Sequence, residues 1–144
     1  MENLEESEVI ERMKDVLGED LVEAMFPRKR RVFVQVRKKA LIKAVKHLVK
    51  EGFVHLSTIT GVDLGDEIEL IYHLNRGGIE LSLKTRVVKD KPTIPSITSI
   101  IPGATLYERE VYEMFGVIFE GHPNLSHLLL PEDWPEGVYP LRKG

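Results

Sequence analysis

Cysteine is absent from all 144 residues. That excludes disulfides, thiolate zinc sites, cysteine-ligated iron–sulfur clusters and thiol nucleophiles. Any redox chemistry near this chain therefore belongs to a bound cofactor or to a partner. Long apolar runs are absent too, and none approaches the roughly 20 residues a membrane-spanning helix needs. The opening residues, Met1 to Glu6, are acidic and hold no apolar signal core. These absences predict a cytosolic chain, or one peripheral to a membrane. Neither sign of charge dominates: 20 Lys and Arg against 23 Asp and Glu leave a net charge of -3. Such a balance is a poor basis for binding nucleic acid. Amides are scarce, with Asn3, Gln35, Asn75 and Asn124 alone. Few amides and thiols among many Lys, Glu and Arg is a thermophile-like bias. Phosphate-cradling glycine loops and nucleophile motifs are also missing.

What is present predicts one folded domain. With 42% hydrophobic and 30% charged residues, the chain can bury a core. Val9, Ile10, Met13, Val16 and Leu17 recur with helical spacing and predict a helix over 5–18, closed by Gly18. A loop carrying Pro27 is expected next, then a strand over the alternating Val32, Val34 and Val36. Ala40, Leu41, Ala44, Val45, Leu48 and Val49 mark a second helix over 38–51. Strands are expected over 53–60, 67–74 and 79–88, with a turn over 61–66. Asn75-Arg76-Gly77-Gly78 makes the last two strands a hairpin. Helical spacing returns over 103–115 through Ala104, Tyr107, Val111, Met114 and Phe115. The order α-β-α-β-β-β-α predicts an α+β fold, with helices on one face of a mostly antiparallel sheet. Residues 1–121 form that domain; 122–144 are expected to be an irregular, proline-rich C-terminal arm. Its apolar residues, among them Leu128, Leu130, Trp134 and Leu141, require a surface to pack on, its own domain or a partner's.

The candidate chemistry is thin. His122 and His127, with Glu113 or Glu120 nearby, can be read as metal ligands of a stand-alone metal-dependent enzyme. Their five-residue spacing matches no helical zinc pair. The competing reading has His122 donating a hydrogen bond inside a Gly-His-Pro turn. Glu110 and Glu113 share a helix face while Glu108 points elsewhere, so acid–base pairing is disfavoured against surface charge meeting a neighbour. Asp63, Asp66 and Glu67 read as a solvated turn, lacking a calcium-loop pattern. Arg28-Lys29-Arg30-Arg31 reads as charge guarding an edge strand.

The stretch LYEREVYEMFGVIFEGHP, Leu106 to Pro123, says more. It closely resembles the signature of the C-subunit family of respiratory complex I, the small soluble subunit of the NADH dehydrogenase peripheral arm. That family also supplies a subunit to membrane-bound group 4 [NiFe] hydrogenases. The matching features are Glu108-Arg109-Glu110, Met114-Phe115-Gly116, Phe119 and Gly121-His122-Pro123. Leu129 to Trp134 and Pro140-Leu141-Arg142-Lys143 resemble the family's next segment; upstream, Leu56 to Asp63, Tyr72-His73-Leu74 and Ile94 to Ile97 extend the likeness. Where the family usually carries a basic pair after Gly-His-Pro, this chain has Ser126 and His127. The overall pattern tilts toward an archaeal hydrogenase-type complex.

The resemblance implies a non-catalytic peripheral subunit of a membrane-bound energy-converting complex, binding no cofactor and no nucleic acid. Its implied partners are the large subunit (the quinone-site or [NiFe] homologue), the small iron–sulfur subunit and the ferredoxin-like subunit. It implies a place on the cytoplasmic face of the membrane, held there through those partners. Glu108, Arg109, Glu110, Gly121, His122, Pro123, Leu128, Leu130, Trp134, Leu141, Arg142 and Lys143 are the implied partner-binding residues. In that reading the Gly-His-Pro turn releases the arm, and proline stiffening lowers the cost of ordering it on docking.

Overall fold

A computed structural model describes residues 5–125 and 137–142. Helix α1 spans Glu6–Leu17, and its apolar stripe of Val9, Ile10, Met13 and Leu17 is buried. Glu6 and Glu8 in its first turn face the positive end of the helix dipole. Strand β1 (Leu21–Arg28) turns into β2 (Arg31–Val36), which pairs with it antiparallel. A short 3₁₀ turn leads into α2 (Leu41–Lys50), where Leu41, Ala44, Val45 and Leu48 are buried at helical spacing. Strands β3 (His55–Asp63), β4 (Glu67–Arg76) and β5 (Ile79–Val88) follow.

These strands form one sheet in the order β1-β2-β5-β4-β3, antiparallel except where β2 runs parallel to β5. The α+β expectation therefore holds, with helices on a mostly antiparallel sheet. Period-two alternation decides which face is covered. Ile68, Leu70, Tyr72 and Leu74 of β4 stand opposite Val87, Thr85, Leu83 and Leu81 of β5, and all eight are buried. Phe33, Gln35, Lys84 and Arg86 carry the opposite parity and leave that side open around a shallow hollow. Among the described residues no helix is long and apolar enough to cross a membrane.

Three short features depart from the sequence reading. The expected loop around Pro27 is strand β1. It lies at the sheet edge, where a missing N–H is tolerated, and two register shifts obscure its alternation. The turn expected over 61–66 is shorter, because β3 continues through Asp63. Thr93–Pro95 (β6) and Ile118–Glu120 (β7) form a small parallel pair beside α3 (Ala104–Phe115). Gly61 sets how closely α3 approaches β3: a Cβ there would lie 2.6 Å from the ring of Phe115. The missing side chain admits that ring.

Candidate functional site

The signature residues surround α3, and three of their polar groups turn inward onto their own chain. Pro102 and Gly103 precede the helix, and the Thr105 hydroxyl bonds back to the Pro102 carbonyl at 2.7 Å. At the other end Gly116 adopts a left-handed φ of 77°, and its N–H reaches the Tyr112 carbonyl at 2.8 Å. That is a common way for a helix to stop.

Glu108 lies at the middle of this helix and is 0% exposed. Its Oε1 accepts from the Ser96 hydroxyl at 2.6 Å, and its Oε2 accepts from the Ile97 N–H at 2.8 Å. Ser96 in turn accepts from the Thr98 N–H at 3.1 Å. The β6–β7 pair brings Ser96 there, its N–H bonded to the Glu120 carbonyl. Burial raises the Glu108 carboxyl above its ordinary range, and the bonds from Ser96 and Ile97 pull it partly back. Burial first, then the nearby Glu108 carboxylate, pushes the Tyr72 hydroxyl well above its usual range. The expectation that Glu108 is presented on the helix surface is thus corrected. Ala104, Glu108, Val111 and Phe115 are buried along one helical stripe, so this glutamate occupies a core position with its charge satisfied locally; Glu113, read from the sequence as helix-surface charge, is buried as well, off that stripe.

His122 fastens the start of α3. Its Nδ1 accepts from the Asn124 N–H at 2.9 Å, which leaves Nε2 as the donor to the Thr105 carbonyl, also at 2.9 Å. Both ring nitrogens are therefore engaged in hydrogen bonds, as the Gly-His-Pro turn reading required. Gly121 makes the turn at φ 88°, and Pro123 is exposed. The stand-alone metal enzyme is not supported: His122 is committed to the backbone, and no three ligand-type side chains are grouped among the described residues. Its proposed partner His127 lies outside the described residues.

Arg142 fastens the end of α3. Its Nε donates to the Phe115 carbonyl at 2.6 Å and its guanidinium sits 4.8 Å from the Tyr139 ring centre. The Leu141 N–H donates to the Met114 carbonyl at 3.0 Å. A cation and two donors thus meet the negative end of the helix. The Tyr139 ring fills the space beside Gly116, where a Cβ would come within 2.5 Å of it. Tyr139, the Leu141 backbone and Arg142 therefore rest on the end of α3, while the Leu141 side chain stays exposed. Arg109 and Glu110 are half-buried on α3. Leu128, Leu130, Trp134 and Lys143 lie outside the described residues.

Two contributors escaped the sequence reading. Asp63, assigned to a solvated turn, is buried; it accepts from the Gly65 N–H at 2.9 Å and pairs with Lys89 at 2.8 Å. Lys89 also offers its carbonyl to Arg142 at 3.4 Å, joining the sheet end to the C-terminal segment. Tyr139 is the other, and its place next to Pro140-Leu141-Arg142 was the available signal.

Comparison with known proteins places this arrangement in a family. The family model described as "Respiratory-chain NADH dehydrogenase, 30 Kd subunit" matches residues 34–144. The C-subunit of the NADH-quinone oxidoreductase of Roseiflexus sp. (strain RS-1) is 39% identical over 151 residues, covering 97% of this chain and 83% of that protein. The membrane-bound hydrogenase subunit beta of Pyrococcus furiosus is 37% identical over 120 residues, covering 78% and 68% respectively. Among solved structures, a chain of the membrane-bound sulfane sulfur reductase, an archaeal respiratory membrane complex, superposes with a TM-score of 0.83. It is 30% identical, over 94% of this chain and 82% of that one. The chain with the clamped α3 belongs to the respiratory-chain NADH dehydrogenase 30 Kd subunit family.

Proposed function

We propose that this chain is a non-catalytic peripheral subunit of a membrane-bound energy-converting redox complex, of the complex I or group 4 hydrogenase type. Its task is assembly and stability of the electron-transfer module. The observation that carries this reading is the likeness, over 94% of the chain, to a subunit of an archaeal respiratory membrane complex. The chemistry of the site agrees. Glu108, His122 and Arg142 spend their hydrogen bonds on holding α3, and no substrate-facing acid, base or nucleophile is left among them.

The partners in this proposal are the large subunit, the small iron–sulfur subunit and the ferredoxin-like subunit. The chain is held through them at the cytoplasmic face of the membrane. Arg109 and Glu110 contribute register through charge, since rim charges select partners more than they add affinity. Leu106, Ile118 and Leu141 are large apolar side chains left exposed around the clamped helix. Leu128, Leu130 and Trp134 are the proposed anchors of the arm, with Trp134 as the strongest.

Affinity purification of the full chain from gently solubilised membranes tests the proposal. Companion subunits, the large subunit among them, are expected to come with it. Truncation after residue 121 is expected to abolish that recovery. Isolation of the full-length chain as a lone monomer would overturn the subunit reading; normal recovery of the truncated chain would overturn only the role of the arm.

A further inference from the structure

Among the described residues, the helical layer is electrically divided. On α1 the exposed charges are of both signs, and Glu8–Arg12 and Glu11–Lys14 pair along the helix. On α2 they are not. Lys43, Lys46 and Lys50 are all exposed, spaced i, i+3 and i+7, so they stand in one row, and exposed Lys39 lies in the 3₁₀ turn just before the helix. Exposed Arg37 and Lys38 precede them, and residues 37–50 contain no acid at all. Lys39 lies 3.5 Å from Asp20, whereas Lys43, Lys46 and Lys50 form no ion pair among the described residues. Like charges at these spacings destabilise a helix by about as much as opposite charges stabilise it. A face kept only for solubility gains nothing from that uniformity in a chain whose net charge is -3.

We infer that the outer face of α2 is a docking surface for an acidic soluble protein that visits the complex. Charge complementarity sets the sign of the occupant. The residue types set its class. The apolar side of α2 is spent on the core through Leu41, Ala44, Val45 and Leu48, so nothing remains to enter a bilayer. The row carries no aromatic to stack a base and no arginine to grip a phosphate in two places. It also lacks an apolar anchor, and lysine is depleted in the cores of permanent interfaces. A lysine row of this kind speeds and orients a weak, salt-sensitive encounter.

The experiment uses the full chain with three probes: poly-L-glutamate, vesicles containing phosphatidylserine, and a short DNA duplex. Poly-L-glutamate is expected to bind most tightly, and to weaken between about 0.01 and 0.1 M salt, where the screening length falls from about 30 to 10 Å. Replacing Lys43→Glu, Lys46→Glu and Lys50→Glu together is expected to weaken it by about tenfold or more. Neutralising Arg28, Lys29 and Arg30 in the β1–β2 turn is expected to have a smaller effect. Tighter binding of vesicles or duplex, or a larger loss from the turn variant, would overturn the inference. A second arm rests on the subunit reading. In the purified complex these three lysines are expected to remain open to reductive methylation. Their protection there would mean a permanent neighbour covers the row, and would remove the visiting partner while leaving the subunit reading intact.

Discussion

Ser96 and Glu108 meet inside the domain, the hydroxyl donating to the carboxylate at 2.6 Å. Twelve residues apart in the chain, they join the β6 loop to the middle of α3. Removing the carboxylate by Glu108→Ala strands the Ile97 N–H, turns the Ser96 hydroxyl to Thr98 Oγ1 at 2.8 Å, and leaves a void. The expected cost is about 2–4 kcal/mol in denaturant unfolding. Glu108→Gln keeps the shape and one acceptor, so its cost is expected near about 1 kcal/mol. Because burial raises the native carboxyl above its ordinary 4.5, the folded state holds this proton more tightly than the unfolded state does. The stability gained from that proton is complete below about pH 4.5 and is lost as pH rises through the native value. Wild type and Glu108→Gln should therefore converge in stability as pH rises across that window. An alanine variant with a cost under about 0.5 kcal/mol, as for a surface glutamate, would contradict the buried placement.

Tyr72 supplies the contrasting case. Its ring is fully buried, and its hydroxyl has no hydrogen-bond partner among the described residues. A buried hydroxyl that makes no bond carries a desolvation cost with no return. Tyr72→Phe is accordingly expected to leave stability unchanged or to raise it by up to about 1 kcal/mol. The same variant also takes a polar neighbour away from Glu108. A loss above about 1 kcal/mol on thermal unfolding would show that the hydroxyl is bonded after all.

Much of this was legible in the chain. The alternation through Ile68, Leu70, Tyr72 and Leu74 gave β4 and its buried face, and the Gly77-Gly78 turn gave the hairpin. The stripes of α1 and α2 were equally plain. Strand β1 was not, since as an edge strand it buries no residue fully and its register shifts break the period. Glu108 was misjudged because its charge outweighed its spacing. It falls four residues after Ala104 and three before Val111, both buried, so the period had placed it in the core. The Gly-His-Pro turn was legible as a hydrogen-bonded turn because glycine and proline restrict the backbone locally. Asp63 was not, because its partner Lys89 is 26 positions away and only the sheet brings them together.

Gly116 and Tyr139 should be strongly coupled. Alanine at 116 incurs the left-handed penalty of about 1–2 kcal/mol and drives its Cβ into the Tyr139 ring. In a Tyr139→Ala background the collision disappears and only the backbone penalty remains. A double-mutant cycle is therefore expected to give a coupling of about 1 kcal/mol or more. Gly116→Ala alone should also speed hydrogen exchange at the Leu141 amide, which bonds to the Met114 carbonyl. Additive costs with unchanged exchange would mean that the C-terminal segment does not rest on this glycine.

The pair of Asp63 and Lys89 holds the end of the sheet that the C-terminal segment reaches. Its side chains are 1% and 20% exposed at an N···O distance of 2.8 Å, so the acid is dry and the lysine is partly wet. Asp63→Asn keeps an oxygen for the Gly65 N–H but removes the charge that faces Lys89. The ammonium can swing only partly toward water, and a cost of about 2–3 kcal/mol is expected, below that of a fully buried pair. Replacing both residues, as Asp63→Asn with Lys89→Met, removes the ammonium as well while keeping most of the lysine's volume. The double variant should recover at least half of the single variant's loss in urea unfolding. Equal losses for the two would show that the charge of Lys89 is not what makes Asp63→Asn costly.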